Sequence, residues 1–473
     1  MSRARMLASL SFAALLLACG ASAVPSRATS APASADAVRL ELRVPVEIGA
    51  RGTLIAIPYS AEEIASGAHE SVSFFNEMLS RVQIVRDVEV SDGEATFDVE
   101  LTAERRVVVV IFDGAGMGLE ALFGPRGVGV GRVEVPPGAS RASLTLTGVR
   151  PEPPSEACDG EREELLELDA PETQREGDGG RRVACVLVPP SYASSTERFP
   201  VVLVFPGYSG LATRGNVWRQ RALFRAIGAE LGAPAIVVGV ATRTAEGSSY
   251  LQRSERFGDW DAFVVDRLLG ELDARYRTNQ RRGAIGHSTG GWAAIALATR
   301  HPDRVQVAAA SSPDALDLDA WMLDEGGAVR AEWLAWMRAE HAMGGPGQFV
   351  SYGAAWSPDP AAPAGFLWPV DLRTGELAPE VYARWRAASP AADLTTDEGL
   401  ARARALSGRL ILTAGRTDEF GLFGPTERYV DALTAAGVET RWMPTELGHF
   451  GDDEARFAPL VRFLLTALAS PLE

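Results

Sequence analysis

The stretch Ala284-Ile285-Gly286-His287-Ser288-Thr289-Gly290 decides the fold. A Gly-x-Ser-x-Gly pentapeptide sits there between a short apolar strand and an Ala-rich helix, Trp292 to Arg300. Alone it is weak, since a chain of this length and Gly/Ser content yields roughly 0.3 such matches by chance. The strand before it and the helix after it give it weight. In a strained strand-to-helix turn, a side chain at Gly286 or Gly290 would collide with its neighbours. Such a turn lifts Ser288 Oγ above the sheet and aims the helix N-terminus at developing negative charge. The plain alternative is an ordinary βα turn.

Working outward, a strand is expected at Arg182 to Val188, and Val201 to Phe205 and Ala235 to Val240 are apolar runs of the kind buried on both faces of a parallel sheet. Short strands are expected at Gly283 to Ile285, Val305 to Ala309, Leu410 to Thr413 and Thr440 to Met443. Between them, Trp260, Val264, Leu268, Leu272 and Tyr276 recur every four residues as one helical stripe. Strands alternating with helices predict an α/β fold with a doubly wound, mostly parallel sheet. Ligands in such sheets sit at the carboxyl ends of the strands, where the motifs fall.

A serine hydroxyl needs a base and an orienting acid. The chain has five histidines: His69, His287, His301, His341 and His449. His69 lies in a β-rich N-terminal region, and His287 is inside the elbow. His301 ends the helix after it, where contact with the helix C-terminus explains it. His341 falls in an insertion. His449 follows the last expected strand and is the base by position and by elimination. The acid should follow the preceding strand, in the order Ser, Asp/Glu, His. Asp418 in Gly415-Arg416-Thr417-Asp418-Glu419 is chosen, with Glu419 as the second candidate. For the oxyanion hole, one N–H is expected from Thr289 and a second from Tyr208 in Pro206-Gly207-Tyr208-Ser209-Gly210, where a simple Pro-Gly turn is the competing reading.

The N-terminal half reads differently. Leu40 to Val44, Ala95 to Leu101 and Ser143 to Leu146 alternate with period two, and Val107 to Phe112 is an apolar strand, which predicts a small β-sandwich. Arg3, Arg5 and the apolar Leu7 to Ala18 form an export signal. Two cleavage readings stand: Ala21-Ser22-Ala23 as a signal peptidase site, or Leu16-Leu17-Ala18-Cys19 as a bacterial lipobox with Cys19 lipidated. The expected organisation is a signal at 1–23 (to 18 for a lipoprotein), a Ser/Ala/Pro-rich tether at 24–37, a β-sandwich at 38–150 and a catalytic domain at 151–473. An exported chain would favour a disulfide between Cys158 and Cys185, against two unpaired thiols. The net charge of −16 (62 acidic against 46 basic residues) excludes nucleic acid as a partner and leaves a membrane only through a lipid anchor.

Leu187-Val188-Pro189-Pro190-Ser191-Tyr192, Arg198 to Val204, Asp273-Ala274-Arg275-Tyr276-Arg277, the Ser288 elbow, Gly415 to Phe420 and Gly448-His449 together resemble the putative-esterase family of α/β hydrolases, which includes esterase D-like and enterochelin esterase-like enzymes and mycolyltransferases. The resemblance covers roughly residues 180–470. It implies hydrolysis of small-molecule carboxylic esters through an acyl-enzyme on Ser288, His449 and Asp418, with no metal or organic cofactor. Where the family commonly has His-Gly after the third strand, this chain has Pro206-Gly207. Two other readings stand beside ester hydrolysis: an acyltransferase on the same triad, and a non-catalytic binding lipoprotein on the same scaffold. A lid-like insertion at 313–405 carries Trp321, Trp333, Trp336, Trp356, Trp368 and Trp385, which are expected mainly to pack its own core. Asp452, Asp453 and Glu454 read as a charged first helical turn rather than a metal site.

Overall fold

The computed structural model describes residues 36–45, 50–65, 83–113, 128–149, 158, 163–173, 180–208, 216–343, 347–450 and 452–470. The targeting segment with Cys19, most of the tether, His69, the junction at Arg150 to Pro154 and Ser209-Gly210 lie outside these residues. The chain divides into two compact units. The first holds the described residues up to 149 together with Arg330–Val350; the second holds Cys158 to Val329 and the residues from Ser351 onward.

In the first unit the strands are β1 (Asp36–Arg43), β2 (Arg51–Tyr59), β3 (Gln83–Glu89), β4 (Glu94–Leu101), β5 (Val107–Asp113), β6 (Val128–Glu134), β7 (Arg141–Thr145) and β8 (Thr147–Val149). They form one sheet in the order β4-β1-β7 and another in the order β3-β2-β5-β6-β8. Along β4 every second residue is buried, so Ala95, Phe97, Val99 and Leu101 share one face. These join Leu40 and Leu42 from β1 and Val108, Val110 and Phe112 from β5 in a single core fed by both sheets. Each of these side chains larger than alanine contributes roughly 1.5–3 kcal/mol on burial. Two sequence boundaries shift. β1 starts at Asp36, inside the expected tether, because Asp36 and Ala37 already pair with Leu101 and Glu100. Arg330–Val350 belongs to the first unit rather than wholly to the catalytic one.

The second unit is built on an eight-stranded sheet. Its strands are β9 (Glu163–Asp169), β10 (Arg181–Leu187), β11 (Phe199–Phe205), β12 (Ile236–Val240), β17 (Thr278–His287), β18 (Val307–Ser311), β19 (Leu410–Thr413) and β20 (Thr440–Trp442). Two short hairpins lie between, β13 (Arg243–Thr244) with β14 (Gly247–Ser248) and β15 (Arg253–Ser254) with β16 (Gly258–Asp259). The sheet order is β20-β19-β18-β17-β11-β12-β10-β9. From β12 to β20 all neighbours are parallel, and β10 runs against both of its neighbours. Every residue of β12, β18 and β19 is buried, as expected of strands covered on both faces.

The stripe from Trp260 to Tyr276 is buried throughout, but its helix is not uniform: Phe263–Leu268 winds as a π-helix between α-helical ends. Packing of that stripe against the sheet accounts for it. A four-residue repeat drifts about 40° per repeat on an α-helix, and a wider i→i+5 turn rewinds the stripe onto the sheet. The strand order reverses between β11 and β17, because β12 adds on one side of β11 and β17 on the other. In a doubly wound sheet that switch point opens a crevice at the carboxyl strand ends. Ser288 follows β17 directly, and the Gly207 loop follows β11.

Candidate active site

Ser288 stands between the end of β17 and the helix Thr289–Arg300, with φ 58° and ψ −130°. For a non-glycine residue such a conformation costs about 1–3 kcal/mol and persists only where the surroundings over-determine it. Here they do. Ser288 N–H donates to the Ser311 carbonyl at 3.0 Å, and its own carbonyl accepts from Trp292 N–H at 3.0 Å and Asp314 N–H at 3.1 Å. A Cβ on Gly286 would strike the Gly290 backbone, and one on Gly290 would strike the carbonyls of Phe205 and Pro206. The two glycines let β17, the helix and the loop after β11 close to backbone contact. Ser288 is left half-buried.

Asp418 follows β19 and His449 follows β20, at the same carboxyl edge of the sheet. Their side chains meet: His449 Nδ1 lies 2.9 Å from Asp418 Oδ2, both buried. A carboxylate only accepts, so Nδ1 carries the proton and Nε2 presents the lone pair. Burial acts to raise the Asp418 carboxyl, but the charge of His449 and the hydrogen bonds it receives outweigh burial and hold it below the ordinary value. Glu419 has a different task. Its carboxylate accepts the His449 backbone N–H at 2.5 Å, and Arg456 donates to the Gly448 carbonyl at 2.7 Å. Gly415 permits this loop pair to close, because a Cβ there would strike the Leu447 carbonyl. Phe420 and Phe450 meet the His449 ring edge-on, at centroid distances of 4.7 and 4.8 Å.

Among the described residues, Ser288 and His449 do not hydrogen-bond. Ser288 Oγ donates instead to Asp314 Oδ1 at 3.2 Å. What brings His449 to the elbow is His287, whose ring centroid lies 4.5 Å from that of His449 and whose Nδ1 pairs with Ser311 Oγ at 3.2 Å. Burial, and then the charges of His449 and Arg456, drive His287 well below the ordinary histidine value, so it stays neutral. Sequence reading set His287 aside and passed over Asp314. The available signal for Asp314 was its place: a carboxylate three residues beyond β18, beside the nucleophile strand.

Thr289 opens the nucleophile helix, so its N–H has no acceptor within that helix. The other expected donor loop passes close by: a Cβ on Gly207 would lie 3.9 Å from the His287 carbonyl and 4.0 Å from Ser288 Cβ. The Tyr208 side chain is anchored against Gly247, where an added Cβ would lie 2.6 Å from its hydroxyl.

The remaining expected residues are placed as follows. A disulfide joins Cys158 and Cys185, with Cα atoms 5.7 Å apart. His301 caps its helix and pairs with Asp261 at 2.6 Å. Asp452 caps the last helix, Asp453–Ala469, and accepts from Ala455 N–H. Trp321, Trp356 and Trp385 are buried; Trp356 stacks on Tyr352 with centroids 4.1 Å apart, which is packing rather than an open pocket. Among the described residues no helix is long and apolar enough to cross a membrane, and no cluster of three His, Cys, Asp or Glu side chains could hold a metal.

A strained serine elbow at the switch point of this sheet, with a buried His–Asp pair on the same edge, defines the class: a serine esterase of the α/β-hydrolase type. Residues 179–359 match the Esterase family model, described as putative esterase. No curated protein matches the chain. Among solved structures, similarity extends to a ferulic acid esterase (16% identity, TM-score 0.42, covering 65% of this chain and 99% of that one). It extends also to an S-formylglutathione hydrolase from Agrobacterium tumefaciens (16%, 0.37, 65% and 93%). A third is the fluorophosphonate-binding serine hydrolase FphF of Staphylococcus aureus (12%, 0.41, 65% and 98%).

Proposed function

We propose that this protein is an exported carboxylic ester hydrolase that works through an acyl-enzyme on Ser288, with His449 as base and Asp418 as the acid that orients it. The observation that carries the reading is the tilted ring contact of His287 with His449, centroids 4.5 Å apart: the residue next to the nucleophile touches the imidazole that Asp418 holds. The Ser288 hydroxyl turns from Asp314 to His449 Nε2 as it attacks the ester carbonyl. Its proton passes to Nε2, the Oγ–C bond forms, and the charge on the carbonyl oxygen is met by the N–H groups of Thr289 and Tyr208. Collapse expels the alcohol, which takes the proton from His449. Water then repeats the sequence and releases the acid. Export follows from Arg3, Arg5 and the apolar Leu7 to Ala18, with lipidation of Cys19 or cleavage after Ala23 as the two routes.

The test is a panel of p-nitrophenyl esters of increasing acyl length, assayed with and without an added alcohol. Hydrolysis unaffected by the alcohol supports the reading. Transfer of the acyl group to the alcohol in place of water makes the protein an acyltransferase, and no turnover of any ester removes the catalytic account.

A further inference from the structure

The nucleophile's resting partner is a carboxylate that the triad does not use. Asp314 is 5% exposed, and its two oxygens are divided. Oδ2 accepts from the Tyr250 hydroxyl at 2.7 Å and from Thr289 Oγ1 at 2.8 Å, while Oδ1 accepts from Ser288 Oγ at 3.2 Å. The backbone ties the same residues together, since Asp314 N–H donates to the Ser288 carbonyl. Tyr250 is fully buried and is held by three ring contacts, to Trp292 (5.3 Å), Tyr352 (4.8 Å) and Trp356 (5.6 Å). It also occupies left-handed backbone, φ 50°, followed by Leu251 at φ 45°. Two consecutive non-glycine residues with positive φ are costly, and the packed surroundings fix them. That strain delivers one phenol to one carboxylate. Burial, followed by the charge of Asp314, pushes the Tyr250 phenol well above its ordinary value, so it remains a donor.

We infer that Asp314 is a positioning residue that holds the Ser288 hydroxyl in a resting orientation away from His449, and that Tyr250 sets the strength of that hold. The inference rests on Ser288 being the nucleophile. A charged acceptor forms a hydrogen bond roughly twice as strong as a neutral one. Each donor placed on Asp314 by Tyr250 or Thr289 spreads that charge and weakens its grip on Ser288. The long 3.2 Å contact to Ser288, against 2.7 and 2.8 Å to the other two, matches a partner held loosely enough to leave. Reaction then requires transfer of one hydrogen bond, from Asp314 Oδ1 to His449 Nε2.

The arrangement makes the two neighbours act in opposite directions, which a purely structural role would not do. The experiment is the rate of covalent labelling by a fluorophosphonate, in which the Oγ–P bond forms, fluoride leaves and the hydroxyl proton passes to His449. Asp314→Asn, which keeps the shape and removes the charge, should label roughly five- to tenfold faster than wild type. Tyr250→Phe, which keeps the ring and removes the donor, should label roughly two- to fivefold slower. The double variant should label as Asp314→Asn does. Slower labelling of Asp314→Asn in a soluble protein with wild-type circular dichroism overturns the inference, as does an unchanged rate in Tyr250→Phe. If Asp314→Asn does not fold, the Tyr250→Phe rate decides alone. Wild-type protein that is not labelled, or a Ser288→Ala variant that still is, refutes instead the assignment of Ser288 as nucleophile.

Discussion

The rings of His287 and His449 lie 4.5 Å apart, and only one of them faces a carboxylate. His449 is paired with Asp418; His287 faces the hydroxyl of Ser311. Burial, and after it the neighbouring His449 and Arg456, holds the His287 imidazole neutral.

That neutrality has a pH signature. The native value of His287 lies well below the ordinary 6.5, so the unfolded chain binds a proton that the native chain refuses. Its contribution to stability is complete above about pH 6.5 and is lost as pH falls below that value toward the native one. The loss for one proton is about 1.4 kcal/mol per pH unit. His287→Gln should therefore flatten the acid limb of the stability curve between pH 7 and pH 5. Urea midpoints measured across that range check it; parallel curves for variant and wild type would rule it out.

Ser288→Ala should reduce kcat on short p-nitrophenyl esters by about 10⁴- to 10⁶-fold with the fold intact, and His449→Ala should do nearly as much. The contrast is His301→Ala. His301 pairs with Asp261, which also holds Arg300, and the pair touches none of the reacting groups. Its kcat/KM should stay within about twofold of wild type. Steady-state kinetics on the three variants decide; full turnover in Ser288→Ala would take that serine out of the mechanism.

Asp418→Asn keeps the shape of the side chain but offers an N–H to His449, which favours the wrong imidazole tautomer. A kcat loss on the order of 10⁴-fold is expected, with little change in KM. A loss confined to KM would show that Asp418 acts on binding rather than on the base.

Gly290→Ala pushes a Cβ into the carbonyls of Phe205 and Pro206, and neither strand nor elbow can retreat without breaking sheet hydrogen bonds. Destabilisation of about 3 kcal/mol is expected, with loss of activity. Gly270, inside a helix with nothing within 4 Å of an added Cβ, should instead tolerate Gly270→Ala with a gain of about 0.5–1 kcal/mol. Thermal unfolding of the two variants gives opposite signs, and equal shifts would contradict the packing argument.

The Cys158–Cys185 bridge spans 27 residues. Closing a loop of that size restrains the unfolded chain by about 3–4 kcal/mol, so Cys158→Ala/Cys185→Ala should lower the stability of the catalytic unit by that order. A midpoint unchanged by either the double substitution or reductant would mean that the crosslink restrains nothing in the unfolded state.

Much of this was legible in one dimension. The apolar runs at Val201 to Phe205, Leu410 to Thr413 and Ala235 to Val240 announce a buried parallel sheet because strands covered on both faces cannot afford polar positions. Gly286 and Gly290 mark the elbow because no other residue fits where backbones touch. Other features were not legible. The four-residue stripe from Trp260 gave no sign of its π-helical middle, and Arg330–Val350 gave no sign of joining the first unit. Contacts between distant segments decide both.

The sequence by itself determined the order of strands and helices, the serine turn and the histidine and aspartate that face each other, since each depends on local pattern or on chain order within a parallel sheet. Only the tertiary structure decided which group the Ser288 hydroxyl touches. Tyr250, Thr289, Ser288 and Asp314 come from different loops and a helix start, and a hydroxyl can turn toward any acceptor within reach. Its choice is set by three-dimensional proximity, and spacing along the chain does not encode it.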